Sequence, residues 1–244
     1  MENRLALVTG GTRGIGRATA LRLARDGWDL VLGYARDEQA AAAARSDVEA
    51  LGAECLTVRA DLTTDSGIDG LFDAATSRAG RMDAVVNNAG ATLHISGLTE
   101  TSPQTIRRVV DLNLTTAILV ARRAVQHLRS GGVLVNISSG AATTGAPGEY
   151  VHYAAAKAGV DALTKGLAIE VAPRGIRVVG VAPGTIDTQV HADAGDPGRP
   201  ERVALTHPMG RVGRPEEIAS VIAFALSADA GYVTGTTLRA AGGV

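Results

Sequence analysis

The chain has 244 residues, 45% of them hydrophobic and 20% charged, with 24 Lys and Arg against 25 Asp and Glu for a formal net charge of −1. That length allows one large α/β domain or two small ones, and the balanced charge supplies no basic footprint for nucleic acid. No apolar run is long enough to cross a bilayer, the N-terminus runs straight into a strand-like segment instead of a signal peptide, and the single cysteine, Cys55, excludes an internal disulfide and fits a reducing, cytoplasmic compartment.

The first expected strand is 5–9 (LALVT), followed by a glycine-rich turn and a helix whose Ala20, Leu21 and Ala24 share one apolar face. A strand at 29–34 leads to the alanine run 39–45, a helix by propensity and flanking charge. Further strands are expected at 54–60, 83–89, 132–138, 176–182 and 236–241, separated by helical segments. Most of these runs are apolar throughout, as a parallel strand covered on both faces must be. The alternation predicts a Rossmann-type doubly wound sheet of about seven parallel strands, with helices on both faces and right-handed crossovers. No Pro/Gly/Ser linker divides the chain, so residues 1–244 read as a single domain. The stretch 188–217 is long and rich in Gly, Pro and charge, and reads as a mobile lid over a site. His94, His127, His152, His191 and His207 show no metal-ligand spacing and read as surface or loop residues, with no metal expected.

Gly10, Gly14 and Gly16 lie between the first strand and the first helix. Glycines there let the backbone approach a pyrophosphate, and the helix N-terminus supplies N–H donors. Tyr153 and Lys157 are spaced i, i+4 and share one helical face, whereas Tyr150 lies two turns from the lysine. A phenol with a pKa of about 10 is a poor acid–base catalyst at neutral pH. An adjacent ammonium is expected to lower it, making Tyr153 a general acid in carbonyl reduction and a general base in reverse.

The stretch Thr9–Gly16 resembles the Thr-Gly-x-x-x-Gly-x-Gly cofactor turn of the short-chain dehydrogenase/reductase family. The resemblance covers essentially the whole chain, through ADL (60–62), NNAG (87–90), DLNL (111–114), NISS (136–139), Tyr-x-x-x-Lys and APGTIDT (182–188). It implies a nicotinamide cofactor contacted by Gly10, Thr12, Arg13, Gly14, Ile15 and Gly16 in the turn, and by Asp61 and Leu62 at the adenine. It further implies contacts from Asn88, Ala89 and Gly90, from Tyr153 and Lys157, and from Pro183, Gly184, Ile186 and Thr188 beside the nicotinamide. The implied catalytic residues are Asn113, Ser139, Tyr153 and Lys157. In the family the serine usually precedes the tyrosine by thirteen positions; here that position is Gly140, so one extra residue is placed in the loop and Ser139 is chosen, with Ser138 left open.

The end of the second strand carries Tyr34 and Arg36 where an acidic residue would accept from a ribose 2′-OH. With Arg13, these favour NADP(H) over NAD(H), since guanidinium matches phosphate geometry. The resemblance extends to bacterial 3-oxoacyl-carrier-protein reductases and to sugar or alcohol dehydrogenases, implying reversible reduction of a ketone to a secondary alcohol in a homotetramer. Few basic residues are expected at the mouth, which disfavours an acyl carrier protein as partner without excluding it. A non-catalytic nucleotide-binding protein is the third reading, opposed by the intact four-residue set.

Overall fold

The computed structural model describes residues 4–80 and 82–244. Its strands are β1 (Arg4–Thr9), β2 (Trp28–Tyr34), β3 (Cys55–Arg59), β4 (Met82–Asn87), β5 (Leu128–Ile137), β6 (Arg177–Pro183) and β7 (Thr237–Ala240). They form one seven-stranded sheet, every neighbouring pair parallel, in the order β3-β2-β1-β4-β5-β6-β7. The order reverses between β1 and β4. That switch point opens a crevice beyond the carboxyl ends of the strands, where ligands bind in such sheets.

The helices are α1 (Gly14–Arg25), α2 (Glu38–Glu49), α3 (Asp65–Ala79), α4 (Pro103–Val110), α5 (Thr116–His127), α6 (Ala141–Thr144), α7 (Val151–Val171), α8 (Val190–Asp193), α9 (Arg199–Ala204) and α10 (Pro215–Leu226). Alternation along the strands divides the core. Val8, Leu30, Leu32, Val86, Val135 and Val181 pack against α1, α2 and α10 on one face. Their neighbours Leu7, Val31, Val85, Leu134 and Val178 pack against α3, α5 and α7 on the other. Both faces of each central strand are thus buried, which explains the unbroken apolar runs. Among the described residues, no helix is long and apolar enough to cross a membrane.

Three boundaries differ from the sequence expectation. β4 stops at Asn87, leaving residues 88–90 outside the ladder at the crevice. β5 begins at Leu128 and shifts register opposite Met82 and Ala84, with Gly131 at φ 81°. The segment 188–217 contains the short helices α8 and α9, and its last three residues already belong to α10. A single parallel bridge between Ile186 and Gly213 closes its base.

Polar side chains fasten the strand ends where the core gives out. Asn87 Nδ2 donates to the Ala117 carbonyl at 2.9 Å and to Asn136 Oδ1 at 3.1 Å. Asn136 Nδ2 in turn donates to Thr164 Oγ1 at 3.0 Å. This buried chain ties β4 to β5, and both to α5 and α7. Asn136→Ala breaks it at the centre and strands the Thr164 hydroxyl. Loss of such a buried partner is expected to cost about 1–3 kcal/mol, read as a lower urea midpoint with an unchanged slope.

Candidate active site

A cavity of about 1940 Å3 runs along the carboxyl edge of the sheet, from the end of β3 to the 188–217 segment. It begins at the glycine turn. Gly10 (φ 62°) and Gly14 (φ 52°) adopt backbone that only glycine takes readily. Gly16 packs beneath: a Cβ there would stand 2.1 Å from the Gly10 carbonyl oxygen. It is the one residue expected in the turn that does not line the cavity; Gly10, Thr12, Arg13, Gly14 and Ile15 do. The first turn of α1 carries no acidic residue, and the Arg13 N-cap makes no side-chain cap bond. Its N–H groups and dipole therefore fit an anionic diphosphate.

Thr9, absent from the expected site, holds this turn against β4. Its Oγ1 accepts from the N–H groups of Asn88 (2.9 Å) and Ala89 (3.0 Å), while Asn88 Nδ2 donates to the Thr9 carbonyl at 2.9 Å. The threonine of the cofactor-turn pattern was the available signal. Asn88, Ala89 and Gly90 consequently reach the cavity wall.

Beside the ends of β2 and β3 the lining includes Tyr34, Arg36, Asp61 and Leu62. Asp61 accepts from the Thr63 hydroxyl (2.6 Å) and backbone N–H (3.0 Å). Those bonds, with a smaller contribution from Arg36, hold its carboxyl below the usual range. Arg13 Nη1 lies 2.9 Å from Asp193 Oδ2, so this arginine is already paired with the 188–217 segment.

The catalytic candidates converge where β5 meets α7. Lys157 is buried, and its Nζ donates to the Ile137 carbonyl at 2.8 Å. That Nζ lies 5.7 Å from the Tyr153 ring centroid. The Ser139 hydroxyl accepts from the Ala141 N–H at 3.1 Å and is near enough to the Tyr153 phenol to favour its ionisation. Ser138 is buried, its Oγ donating to the Lys157 carbonyl at 3.3 Å. Both serines lie just beyond β5 and line the cavity, and Ser139 is the one that acts on the phenol. Pro183, Gly184, Ile186 and Thr188 line the same region.

One expectation about this cluster changes. Burial pushes Tyr153 up to about 12, against smaller lowering effects from Ser139 and the charge of Arg199. The neighbouring lysine thus does not by itself bring the phenol towards neutrality. Burial also lowers Lys157 to about 8, opposed by Asp161. Asn113 does not line the cavity. It is buried in a π-helical turn (Asp111–Thr115) between α4 and α5, where the helix departs from regular geometry as the family resemblance implies. Its Nδ2 donates to the carbonyls of Ala91 (2.7 Å) and Val109 (2.9 Å), and its Oδ1 accepts from Ala91 N–H at 3.2 Å. The amide replaces helix hydrogen bonding and anchors the loop that carries Gly90.

The histidine expectation also fails in part. His152, His191 and His207 are buried. His191 Nε2 sits 2.9 Å from the Ile186 carbonyl, and burial lowers the pKa of both His191 and His152. The lining carries Arg107, Arg108 and Arg239 together with Asp37, Asp111 and Asp193. Sequence reasoning missed Glu149, Tyr150, Thr185 and Arg199, which form the wall beside Tyr153.

A family model described as "Enoyl-(Acyl carrier protein) reductase" matches residues 10–244. The chain is 42% identical to the uncharacterized oxidoreductase YgfF of Escherichia coli K12, over 98% of this chain and 99% of the relative. It is 39% identical to a 3-oxoacyl-[acyl-carrier-protein] reductase of a Synechocystis species, over 99% and 96%. Among solved structures, a short-chain dehydrogenase/reductase from Serratia marcescens superposes with a TM-score of 0.92 at 32% identity, covering 98% of this chain and 97% of that one.

The depressed lysine has a thermodynamic consequence. Its value is about 8 when folded against an ordinary 10.5, so between these values the unfolded chain binds more protons and stability rises with pH. Over the range from about pH 8 to 10, wild type is expected to gain stability relative to Lys157→Met, measured as the difference in urea midpoints. A flat difference would contradict the assigned burial of the ammonium.

Proposed function

Since the chain belongs to the short-chain dehydrogenase/reductase family of NAD(P)-dependent oxidoreductases acting on CH–OH and C=O groups, we propose that it reduces a ketone to a secondary alcohol, reversibly, with NADPH as the preferred cofactor and Tyr153 as the proton donor. The observation that carries this reading is the convergence of Ser139, Tyr153 and Lys157 at one end of a cavity whose other end offers a bare helix N-terminus.

When bound, the reduced nicotinamide supplies the hydride. The residues do the remaining work. Ser139 orients the substrate oxygen beside the phenol. Tyr153 delivers a proton to that oxygen as the hydride adds to the carbon. Lys157 keeps a positive charge next to the phenolate that remains, and with the nicotinium charge offsets the burial that holds Tyr153 high. Asn113 acts in this reading by holding the Gly90 loop and the π-helical turn, which sets the wall behind Lys157. Tyr150 is not the donor: its phenol oxygen accepts from Arg199, and burial raises its pKa further.

A carrier-bound 3-oxoacyl substrate is the second reading. The exposed Arg107 and Arg108 on α4 favour it, because an acyl carrier protein is an acidic partner. A homotetramer and a cytoplasmic location complete the proposal.

Tyr153→Phe, assayed on a panel of ketones and secondary alcohols that includes 3-oxoacyl thioesters free and carrier-bound, is expected to lower kcat by about 10²–10⁴-fold with little change in cofactor Kd. Undiminished turnover would remove the proposed donor. A charge-assisted hydrogen bond contributes about 1.5–3 kcal/mol, so NADPH is expected to exceed NADH in kcat/KM by about ten- to a hundredfold. Arg36→Asp should shift the ratio towards NADH, and equal use of both cofactors by wild type would contradict the preference.

A further inference from the structure

Arg199 belongs to α9, in the segment read as a lid, yet it is only 6% exposed. Its Nη2 donates to Glu149 Oε2 at 2.6 Å and to the Tyr150 phenol oxygen at 2.7 Å. Its Nη1 reaches Thr185 Oγ1 at 3.3 Å, and its Cζ stands 5.3 Å from the Tyr150 ring centroid. The Nε is buried without a hydrogen-bond partner among the described residues. Tyr150 in turn meets Tyr153 edge to face, with centroids 5.4 Å apart and planes at 87°. Burying a guanidinium is costly unless its charge and donors are used. A lid arginine with no such use would stay in solvent on its flexible stem. Here one fork spans the loop before α7, the loop after β6 and the lid, and it ends one aromatic ring away from the proposed proton donor.

We propose that Arg199 is a positioning residue for the reaction, latching the lid to the leading edge of α7 through Glu149 and Tyr150 and fixing a positive charge beside Tyr153. The inference rests on the reading of Tyr153 as proton donor. Tyr153 faces Tyr150 and Lys157 from its own helix and its leading edge, Ser139 from the end of β5, and Arg199 from the lid. Arg199 faces Glu149 and Tyr150, and more weakly Asp196 and His191 of its own segment. Glu149 is thus the counter-charge that sets how much of the arginine's field reaches Tyr153. The direction agrees with the arginine's influence on the phenol, which favours ionisation.

The test is the pH dependence of kcat/KM for oxidation, with NADP+, of whichever secondary alcohol of the panel is turned over fastest. Oxidation needs the phenolate, so the rate rises with pH along a limb that belongs to the Tyr153–Lys157 pair. Arg199→Met is expected to move that limb up by about half a pH unit, and Glu149→Gln to move it down by about as much. Arg199→Lys keeps the charge and should leave the limb near its wild-type position, while KM rises as the fork is lost. A lid merely loosened by these substitutions would change KM at every pH and could not give shifts of opposite sign. Should Arg199→Met fail to fold, Arg199→Gln removes the same charge and carries the upward arm of the sign test. Limbs of the charge-removing variants at Arg199 and Glu149 that stay in place, or move together in one direction, overturn the role of Arg199. Full turnover by Tyr153→Phe would instead overturn the underlying reading, and the inference with it.

Discussion

The arrangement turns on one ammonium group buried against the end of a strand. Lys157 lies in the middle of the chemistry with little solvent around it, and its position is fixed at both ends. Its Nζ donates to the carbonyl of Ile137, and its own carbonyl accepts from Ser138. The next residue, Ser139, meets Tyr153. Three successive residues at the end of β5 therefore grip the lysine head, the lysine backbone and the phenol in turn. A shift of α7 along the sheet by one residue would lose all three contacts together. The charge is costly to bury, and the environment registers that cost by drawing the lysine down and the phenol up. Stability is spent at this point on holding an ammonium and a phenol in one buried geometry.

Polar anchoring upstream makes that grip possible. A parallel sheet leaves its carboxyl edge as bare carbonyls and turns, and here threonine and asparagine side chains finish what the ladder leaves open. Thr9 joins β1 to the chain leaving β4, and Asn87, Asn136 and Thr164 connect β4 and β5 to α7. Asn113 does the same for the loop at Ala91 by giving up regular helix geometry. Each group is buried and satisfied, so each fixes one arrangement and penalises its neighbours. The apolar layers determine that a sheet forms; these few amides determine where its edge stands.

The legible part of this design is the periodic and local part. Uninterrupted runs such as LALVT and DLVLGY need burial on both faces, which left a doubly wound sheet as the simplest solution, and the i, i+4 spacing of Tyr153 and Lys157 survives any error in helix boundaries. What the sequence hid depends on distance or burial. Arg199 and Glu149 are 50 positions apart, and nothing local marks an arginine in a Gly/Pro-rich stretch as buried. Strand ends depend on where side chains take over from the ladder, so β4 closes earlier and β5 opens earlier than their apolar runs suggest. The direction of the tyrosine's pKa could not follow from a nearby lysine alone, because desolvation outweighs it. The break in helix geometry at Asn113 was legible only through the family resemblance, since the surrounding apolar run reads as an ordinary helix.

Two points in the first half of the 188–217 segment are held by unlike forces. Near the glycine turn, Arg13 and Asp193 pair with 62% and 42% of their side-chain surface in solvent, and such a contact is weakened by salt and worth little in water. At the start of α9, a short way along the chain, Arg199 is enclosed and triply engaged. In the proposed reading, raising the ionic strength loosens the contact beside the glycine turn first and leaves the wall beside Tyr153 in place.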